Sequence, residues 1–261
     1  AFWIAEDGAG TEIKVAETKS AKGIAGAVAV TTVVDDTLAG IVDAGIVNAG
    51  EVNVLANSNH LQVSLTGAAA FLGGITGSGK AIAGAFSFND IRGETRALIV
   101  DTEFTTVQND ITVAALRSGD LISLSAGAAG ALGSDVSSGA GSIASNVVLN
   151  KNQAYLDNVD AATGGDVVVN ATENGRIIAV GGGVAFGGKR GVGFGFAYNT
   201  LGTETDATIT RAYVKDSDLT VGGSQFDVRA LNTNSNSDPR IIAFGAGVGV
   251  ATGPDSTAGV G

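Results

Sequence analysis

The stretch that decides the fold is RIIAVGGGVAFGG, residues Arg176–Gly188, which recurs as RIIAFGAGVGVATG at residues Arg240–Gly253. Both copies begin with Arg, two Ile and Ala, and both continue as a run in which Gly alternates with Val, Ala or Phe. The second copy starts 64 residues after the first (240 − 176). Self-similarity at such a long spacing is typical of a repeat architecture.

Further landmarks recur in a fixed order along the chain and indicate a unit of roughly 50 to 60 residues. A short apolar strand that ends in a polar residue occurs at Ala27–Thr31, Ala85–Asn89, Asn146–Asn150 and Phe196–Asn199. With Val30, Phe88, Leu149 and Tyr198 taken as equivalent, the copies lie 58, 61 and 49 residues apart. A strand that opens with an acidic or polar residue occurs at Glu12–Thr18, Glu51–Asn57, Asp110–Leu116, Asp166–Thr172 and Gln225–Leu231. A third landmark, Leu61–Gly73, matches Leu121–Gly133.

Within these landmarks apolar and polar residues alternate with period two, which indicates strands. Short strands without crossover helices predict an all-β chain folded as a parallel β-helix, or β-solenoid. If one coil takes about 20 residues, the chain forms about 13 coils and a rod on the order of 60 Å long at the spacing of paired strands. The many Ala, Gly and Val residues predict a narrow core.

The chain is predicted to be one elongated solenoid over residues 1–261. Its approximate units are residues 1–26 (partial), 27–84, 85–145, 146–195 and 196–261, the last of them incomplete. About one coil is missing from the first unit, next to Glu12–Thr18. Because Gly259–Gly261 match Gly191–Gly193, the two ends look like complementary parts of a unit, and a head-to-tail contact between copies would not close into a ring.

Composition narrows the function classes. The chain of 261 residues has 40 Gly, 2 Pro, no Cys and a formal net charge of −11. A nucleic-acid partner is not expected, because such binding needs clustered Lys and Arg. The absence of Cys removes disulfides and Cys-based metal sites. The apolar runs Gly23–Val30 and Ala126–Leu132 are much shorter than the roughly 18 residues of a membrane helix, so no membrane-spanning segment is expected.

Four glycine-rich segments resemble three kinds of ligand-binding motif without matching them. Gly74, Gly79 and Lys80 have the spacing of a phosphate-binding loop, but Ala81 replaces the Ser or Thr that binds magnesium, and a strand follows instead of a helix. Gly130, Gly133 and Asp135 match a calcium-binding nonapeptide only in part. The runs Gly191–Gly195 and Gly245–Gly249 lack the helix and acidic partner of a dinucleotide fold, so they predict close-packed strands.

No residue is assigned to catalysis, to cofactor binding or to metal binding. His60 is the only histidine, and it is interpreted as a turn residue at the start of a strand, next to Asn57 and Asn59. Asn89, Asn150 and Asn199 are predicted to share one repeat position, with Thr31 in the fourth copy. Stacked asparagine side chains stabilise parallel coils through amide hydrogen bonds, so a structural ladder is expected there.

The phrase GGGVAFGGKRGVGFGFAYNT (Gly181–Thr200), followed by AYVKDSDLTV (Ala212–Val221), resembles the passenger repeats of large bacterial adhesins. These are the filamentous haemagglutinins and the leukotoxin-like fusobacterial adhesins. The resemblance implies export and display as a β-helical fibre.

Three functional hypotheses follow from these observations. The first is a non-enzymatic adhesive or structural segment of a cell-surface or secreted fibre, which contacts flanking repeats end to end and touches a host or neighbouring cell. The second is a filament subunit that stacks end to end with copies of itself. The third is a carbohydrate-processing β-helix enzyme, which the low aromatic content disfavours, since Trp3 is the only tryptophan.

Overall fold

The computed structural model describes residues 2–6, 9–13, 20–46, 48–73, 77–202, 208–233, 241–253 and 256–259. For residues 2–6 and 9–13 it describes the backbone alone. All regular elements in these ranges are strands. They are β1 Phe2–Glu6, β2 Ala9–Ile13, β3 Ala21–Ile46, β4 Val52–Leu72, β5 Gly79–Val107, β6 Ile111–Ala131, β7 Val136–Thr163, β8 Val167–Gly187, β9 Arg190–Leu201, β10 Ile209–Lys215, β11 Asp218–Val221, β12 Phe226–Asn232, β13 Ile241–Ala251 and β14 Thr257–Gly259.

Twelve of these strands form two parallel sheets, which confirms the predicted all-β parallel solenoid. Sheet I runs in the order β14, β9, β7, β5, β3, and β10 and β11 also pair with β7. Sheet II runs in the order β12, β8, β6, β4, and β13 also pairs with β8. Each coil contributes one long stretch of strand to each sheet. Coil 1 is β3 and β4, coil 2 is β5 and β6, coil 3 is β7 and β8, coil 4 is β9 to β13, and β14 begins a fifth.

The register corrects the predicted size of a coil. Val52 pairs with Ile111, and Ile111 pairs with Val167, so paired residues lie 59 and 56 positions apart. One coil is therefore a whole repeat unit, and the described chain forms between four and five coils instead of about 13. Four coils extend only about 19 Å along the stacking axis, whereas the 26 residues of β3 extend about 85 Å. The prediction was wrong because polar residues inside the strands were interpreted as corners.

The landmarks can be compared directly with the register. The strand openings at Glu51, Asp110, Asp166 and Gln225 are equivalent, as predicted, because the residues that follow them pair with one another. The match of Leu61 with Leu121 is one residue out, since Leu61 pairs with Asp120. Leu149 is not equivalent to Phe88, whose partner is Ser145.

The described part of the N-terminal landmark does not pair with the parallel sheets, although β2 lies close to both β3 and β4. β1 and β2 pair with each other in antiparallel fashion, so Glu12 lies opposite Trp3. This arrangement differs from the parallel pairing expected for Glu12–Thr18. The rest of that segment, and the coil expected to be missing beside it, lie outside the described residues.

A corner recurs at one position of every coil. Asp43, Asp101, Asn158 and Asp216 all have φ close to +50°. Among non-glycine residues Asp and Asn tolerate this left-handed region best, because a short polar side chain can bond locally. Asn158 Nδ2 donates to Asp101 Oδ1 at 2.6 Å, so neighbouring corners are linked.

The interior between the sheets has two different halves. In the valine half, next to the corners, large side chains such as Val52, Ile99, Phe104 and Val113 point inward and form a conventional core. In the alanine half, at the other end of the strands, the buried residues are mostly Ala, among them Ala25, Ala70 and Ala129. The large apolar side chains of the alanine half point outward, for example Val28, Leu65 and Phe196, which are each more than half exposed. The predicted Ala- and Val-rich core is thus present, and it divides along the strands.

Candidate functional site

A cavity of 530 Å³ lies between the two halves of the interior, and it is the best-formed candidate site among the described residues. Apolar side chains on its wall include Ile91, Leu121, Val148 and Ile177. Its polar side chains come from sheet II, with His60, Arg117 and Glu173, and from sheet I, with Asn150. These four apolar residues form a small buried cluster of their own between the two halves of the core.

Glycines create the room for the cavity. Gly119 and Gly175 follow His60 in one row of sheet II, so only the first of these three coils carries a side chain there. Gly119 has φ +145°, which also favours glycine. On sheet I, Gly93 faces Arg117 so closely that an added Cβ would lie 2.7 Å from Nη2 and 2.9 Å from Nη1. Arg117 therefore occupies the space that a larger residue at position 93 would take.

Arg117 is the largest fully buried side chain, at 1% exposure. Its Nη1 donates to Thr95 Oγ1 at 3.2 Å and, weakly, to the Asp35 carbonyl at 3.5 Å. Nε and Nη2 have no hydrogen-bond partner in the described part of the chain. Burial lowers the pKa of Arg117, whereas the negative charges of Glu173, Asp35 and Asp36 oppose that shift. These carboxylates compensate the buried charge, which would otherwise be very costly.

His60 and Ser58 both approach Asp35, but their order does not suit nucleophilic catalysis. Ser58 Oγ donates to Asp35 Oδ2 at 2.5 Å, and His60 Nδ1 lies 3.8 Å from the same oxygen. A hydrolytic triad needs the imidazole between the hydroxyl and the carboxylate, whereas here the carboxylate lies between them. Burial lowers the pKa of His60, Arg117 adds to that effect, and Asp35 opposes it. The predicted turn role is wrong for His60, which lies inside β4.

Asp120 and Arg176 form an ion pair at the outer side of the same region. Arg176 Nη2 donates to Asp120 Oδ2 at 2.6 Å, and Nε donates to Asp120 Oδ1 at 3.1 Å. The hydrogen bonds from Arg176 are the main cause that lowers the pKa of Asp120, and burial opposes them. A carboxylate that is held ionised by an Arg in this way is a poor general acid.

The predicted asparagine ladder is present, with one member corrected. Asn89 Nδ2 donates to Asn146 Oδ1 at 2.8 Å, and Asn146 Nδ2 donates to Asn199 Oδ1 at 2.8 Å. Thr31 pairs with Asn89 in the first coil, as predicted. Asn150 belongs to a different row and lines the cavity, because the ladder position in coil 3 is Asn146. Asn89 and Asn146 are both completely buried.

The glycine-rich segments lie where strands or turns are needed. Gly79 and Lys80 begin β5, so a strand follows the loop-like motif as predicted, while Gly74 lies outside the described residues. Asp135 accepts a hydrogen bond from Lys189 Nζ at 2.9 Å. In the described ranges no group of three or more His, Asp or Glu side chains could hold a metal ion.

The Gly-x-Gly runs are close-packed strands, as predicted. Gly191–Gly195 belongs to β9 in sheet I, and Gly245–Gly249 belongs to β13 in sheet II. A Cβ added at Gly193 would lie 2.6 Å from the Val248 nitrogen and 2.5 Å from the Gly183 oxygen. The backbones of the two sheets therefore touch directly at these residues.

Comparison of the chain with protein-family models, with curated proteins and with solved structures gives no match. Among the residues that the structure describes, no helix is long and apolar enough to cross a membrane. Sequence reasoning missed the buried Arg117, the cavity and the role of Gly93. The only available signal was an Arg at an inward position of an alternating strand, and its partners lie 22 and 82 residues away in the chain.

Proposed function

We propose that this chain is a non-enzymatic structural and adhesive segment of a cell-surface or secreted bacterial fibre. The observation that carries the proposal is that the two parallel sheets end at the first coil. β3 and β4 end the two parallel sheets, and no described strand pairs with their outer edges. Together these two edges extend over 26 and 21 residues.

Strand edges of this length that no further strand continues are rare in proteins that act alone. A long edge offers a row of free N–H and C=O groups, and natural proteins protect it with proline, bulges, inward charges or a covering element. β3 and β4 contain no proline, and their register with coil 2 is continuous apart from the corner at Asp43. One protective feature is present, the inward carboxylate of Asp35, which accepts a hydrogen bond from Ser58 Oγ. A further coil in the same register would satisfy the N–H and C=O groups of these edges.

The covering coil can come from two sources. Flanking repeats in a longer chain would continue the stack, as in the adhesin fibres that the sequence resembles. A second copy that stacks end to end would do the same, which makes a self-assembling filament the alternative. Both cases use the same physical device, namely backbone pairing between equivalent coils.

An extracellular location at the bacterial surface is part of the proposal. Labelling of intact cells with an antibody to this segment tests it, with permeabilised cells as the control. A surface signal that mild external protease removes is expected. A signal that appears only after permeabilisation would refute the proposal.

The fibre model also predicts that whole coils can be removed. Deletion of Gly79–Asp135 joins Ser78 to Val136, which takes the register position of Gly79. β3 can then pair with β7, and β4 with β8. We expect this variant to remain a folded β protein with one cooperative unfolding transition in guanidinium.

The matched control removes only Gly79–Thr106, nearly all of β5. β4 would then run into β6, its parallel neighbour, without the crossover that parallel strands require. We expect this shorter deletion to abolish cooperative unfolding. If the shorter deletion unfolds cooperatively and the longer one does not, the chain does not stack one coil on the next as described.

A further inference from the structure

The outer face of sheet II in the alanine half is entirely apolar. Five outward positions in each of four coils carry only Gly, Ala, Val, Ile, Leu or Phe. The register aligns them in five rows, each named by its coil 1 residue. The rows are Val63, Ile122, Ile178, Ile242; Leu65, Leu124, Val180, Phe244; Gly67, Ala126, Gly182, Ala246; Ala69, Ala128, Val184, Val248; and Phe71, Gly130, Phe186, Val250.

This face is well exposed in the single chain. Leu65 is 74% exposed, Val63 59% and Phe244 58%. Ion pairs border it at both ends of the strands, Asp120 with Arg176 on one side and Asp135 with Lys189 on the other. A contiguous apolar patch with a polar rim usually marks an interaction surface.

We propose that two copies of the chain pair through this sheet II face, with a twofold axis parallel to the stacking direction. The axis passes along the Gly67 row. Because such an axis reverses the strand direction without changing the level along the stack, coil 1 of one copy faces coil 1 of the other. The pairing can therefore extend along a fibre of any length.

The rows are complementary under this symmetry. The Leu65 row of one copy faces the Ala69 row of the other, so Leu65 lies opposite Ala69 and Leu124 opposite Ala128. The Val63 row faces the Phe71 row. The Gly67 row, which has only Gly and Ala, faces itself at the axis, where close approach is needed. Large side chains thus meet Ala in the Leu65 and Ala69 rows of the first two coils, and Val180 meets Val184 in the third. In the outer pair of rows Ile122 faces Gly130, whereas Val63 faces Phe71 and Ile178 faces Phe186.

The size of the face suits a pair of copies. It extends about 26 Å along the strands and about 19 Å across four coils, or roughly 500 Å² per copy. A pair would bury about 1,000 Å², which is near the lower limit for a specific interface. Each additional coil adds about 125 Å² per copy, so longer chains would pair more tightly.

A second copy fits this face better than a lipid surface does. The face borders the end of sheet II at β4, with whose outer edge no described strand pairs. Backbone N–H and C=O groups that lack a partner cost several kcal/mol each in hydrocarbon. A partner sheet leaves that edge in water. The opposite face, on sheet I, is less suited to pairing because Ser145 and Tyr198 interrupt one of its apolar rows. The row that contains Ser137 is polar, since its register partners are Lys80 and Arg190.

The test compares association in two matched double variants. Leu65→Lys with Leu124→Lys places charges in the proposed interface, whereas Leu38→Lys with Leu55→Lys changes leucines that are 62% and 61% exposed elsewhere. Sedimentation velocity over a wide concentration range is expected to show a closed dimer for the native chain and the control. The interface variant should raise the dimer Kd about a hundredfold or more, while its circular dichroism stays native.

A second measurement distinguishes this dimer from end-to-end stacking. The chain has no cysteine, so Ala126→Cys places one thiol on the axis, and a short bismaleimide should link two copies. Thr112→Cys, outside the face, should not be linked. The proposal is overturned if the native chain stays monomeric, or if it floats with phosphatidylcholine vesicles as a monomer. It is also overturned if sedimentation shows an open-ended series of sizes that Leu65→Lys with Leu124→Lys leaves unchanged.

Discussion

Replacement of Asn146 by alanine is expected to lower the free energy of unfolding by about 4 kcal/mol. Asn146 is completely buried and holds the centre of the asparagine ladder. Its loss leaves Asn89 Nδ2 without its acceptor and Asn199 Oδ1 without its donor. Each buried polar group that loses its partner costs about 1 to 3 kcal/mol. Guanidinium unfolding followed by circular dichroism measures the change.

Asn53→Ala is the control for this effect. Asn53 is exposed at an outward position of β4, where its side chain donates to Glu51 at 2.7 Å. Exposed substitutions of this kind usually change stability by less than about 0.5 kcal/mol. Equal effects of the two substitutions would mean that the ladder does not hold the coils together.

Gly193→Ala is expected to lower the free energy of unfolding by about 3 kcal/mol or more. The added methyl group would overlap the backbone of Val248 and Gly183 in the opposite sheet. Overpacking of a core typically costs about 1 to 3 kcal/mol when side chains can move aside. Here the obstacles are backbone atoms within hydrogen-bonded strands, so the sheets themselves must separate.

Gly84→Ala is the matched control, since Gly84 lies in the equivalent alternating region of β5 but faces outward. Nothing lies within 4 Å of a Cβ at this position. Removal of glycine from a strand reduces the entropy of the unfolded chain, so we expect a stabilisation of about 0.5 to 1 kcal/mol. If Gly193→Ala is as harmless as Gly84→Ala, the backbones of the two sheets do not touch there.

The sequence was sufficient to predict parallel stacking, because a repeat aligns like residues on like residues. The Arg176 and Arg240 copies show this, since Ile177 pairs with Ile241 as the motif indicates. The length of the coil could not be read in the same way. Asn89 and Asn146 look like turn residues by type, yet they lie in the middle of strands because neighbouring coils satisfy their amides. Hydrogen bonds between coils therefore decide the conformation of these asparagines, although Asn by itself favours turns.

Small errors of register had large effects on the predicted faces. Matching Leu61 with Leu121 instead of Asp120 moves every later residue to the opposite side of the strand, because the side-chain period is two. The apolar outer face of sheet II could not be recognised under that alignment. The buried cluster around Arg117 depends on long-range contacts with Asp35 and Thr95, which no spacing in the sequence indicates.

The most direct test of the central claim, that one coil is one repeat unit with register partners 53 to 67 residues apart, is a pair of engineered disulfides. Leu55 and Ala114 are outward-facing register partners on β4 and β6. Strands in a sheet lie about 4.8 Å apart, which is within the Cα separation that a disulfide spans. Leu55→Cys with Ala114→Cys should therefore close an intramolecular disulfide in dilute solution, as mass spectrometry of the unreduced chain would show.

The control places the second cysteine at Ile122, whose register partner Val63 is eight residues from Leu55, or about 26 Å along the strand. Leu55→Cys with Ile122→Cys should remain reduced under the same conditions. Closure of the first pair alone is the result that the structure predicts. Failure of the first pair to close, or equal closure of both pairs, would contradict a solenoid with one coil per repeat.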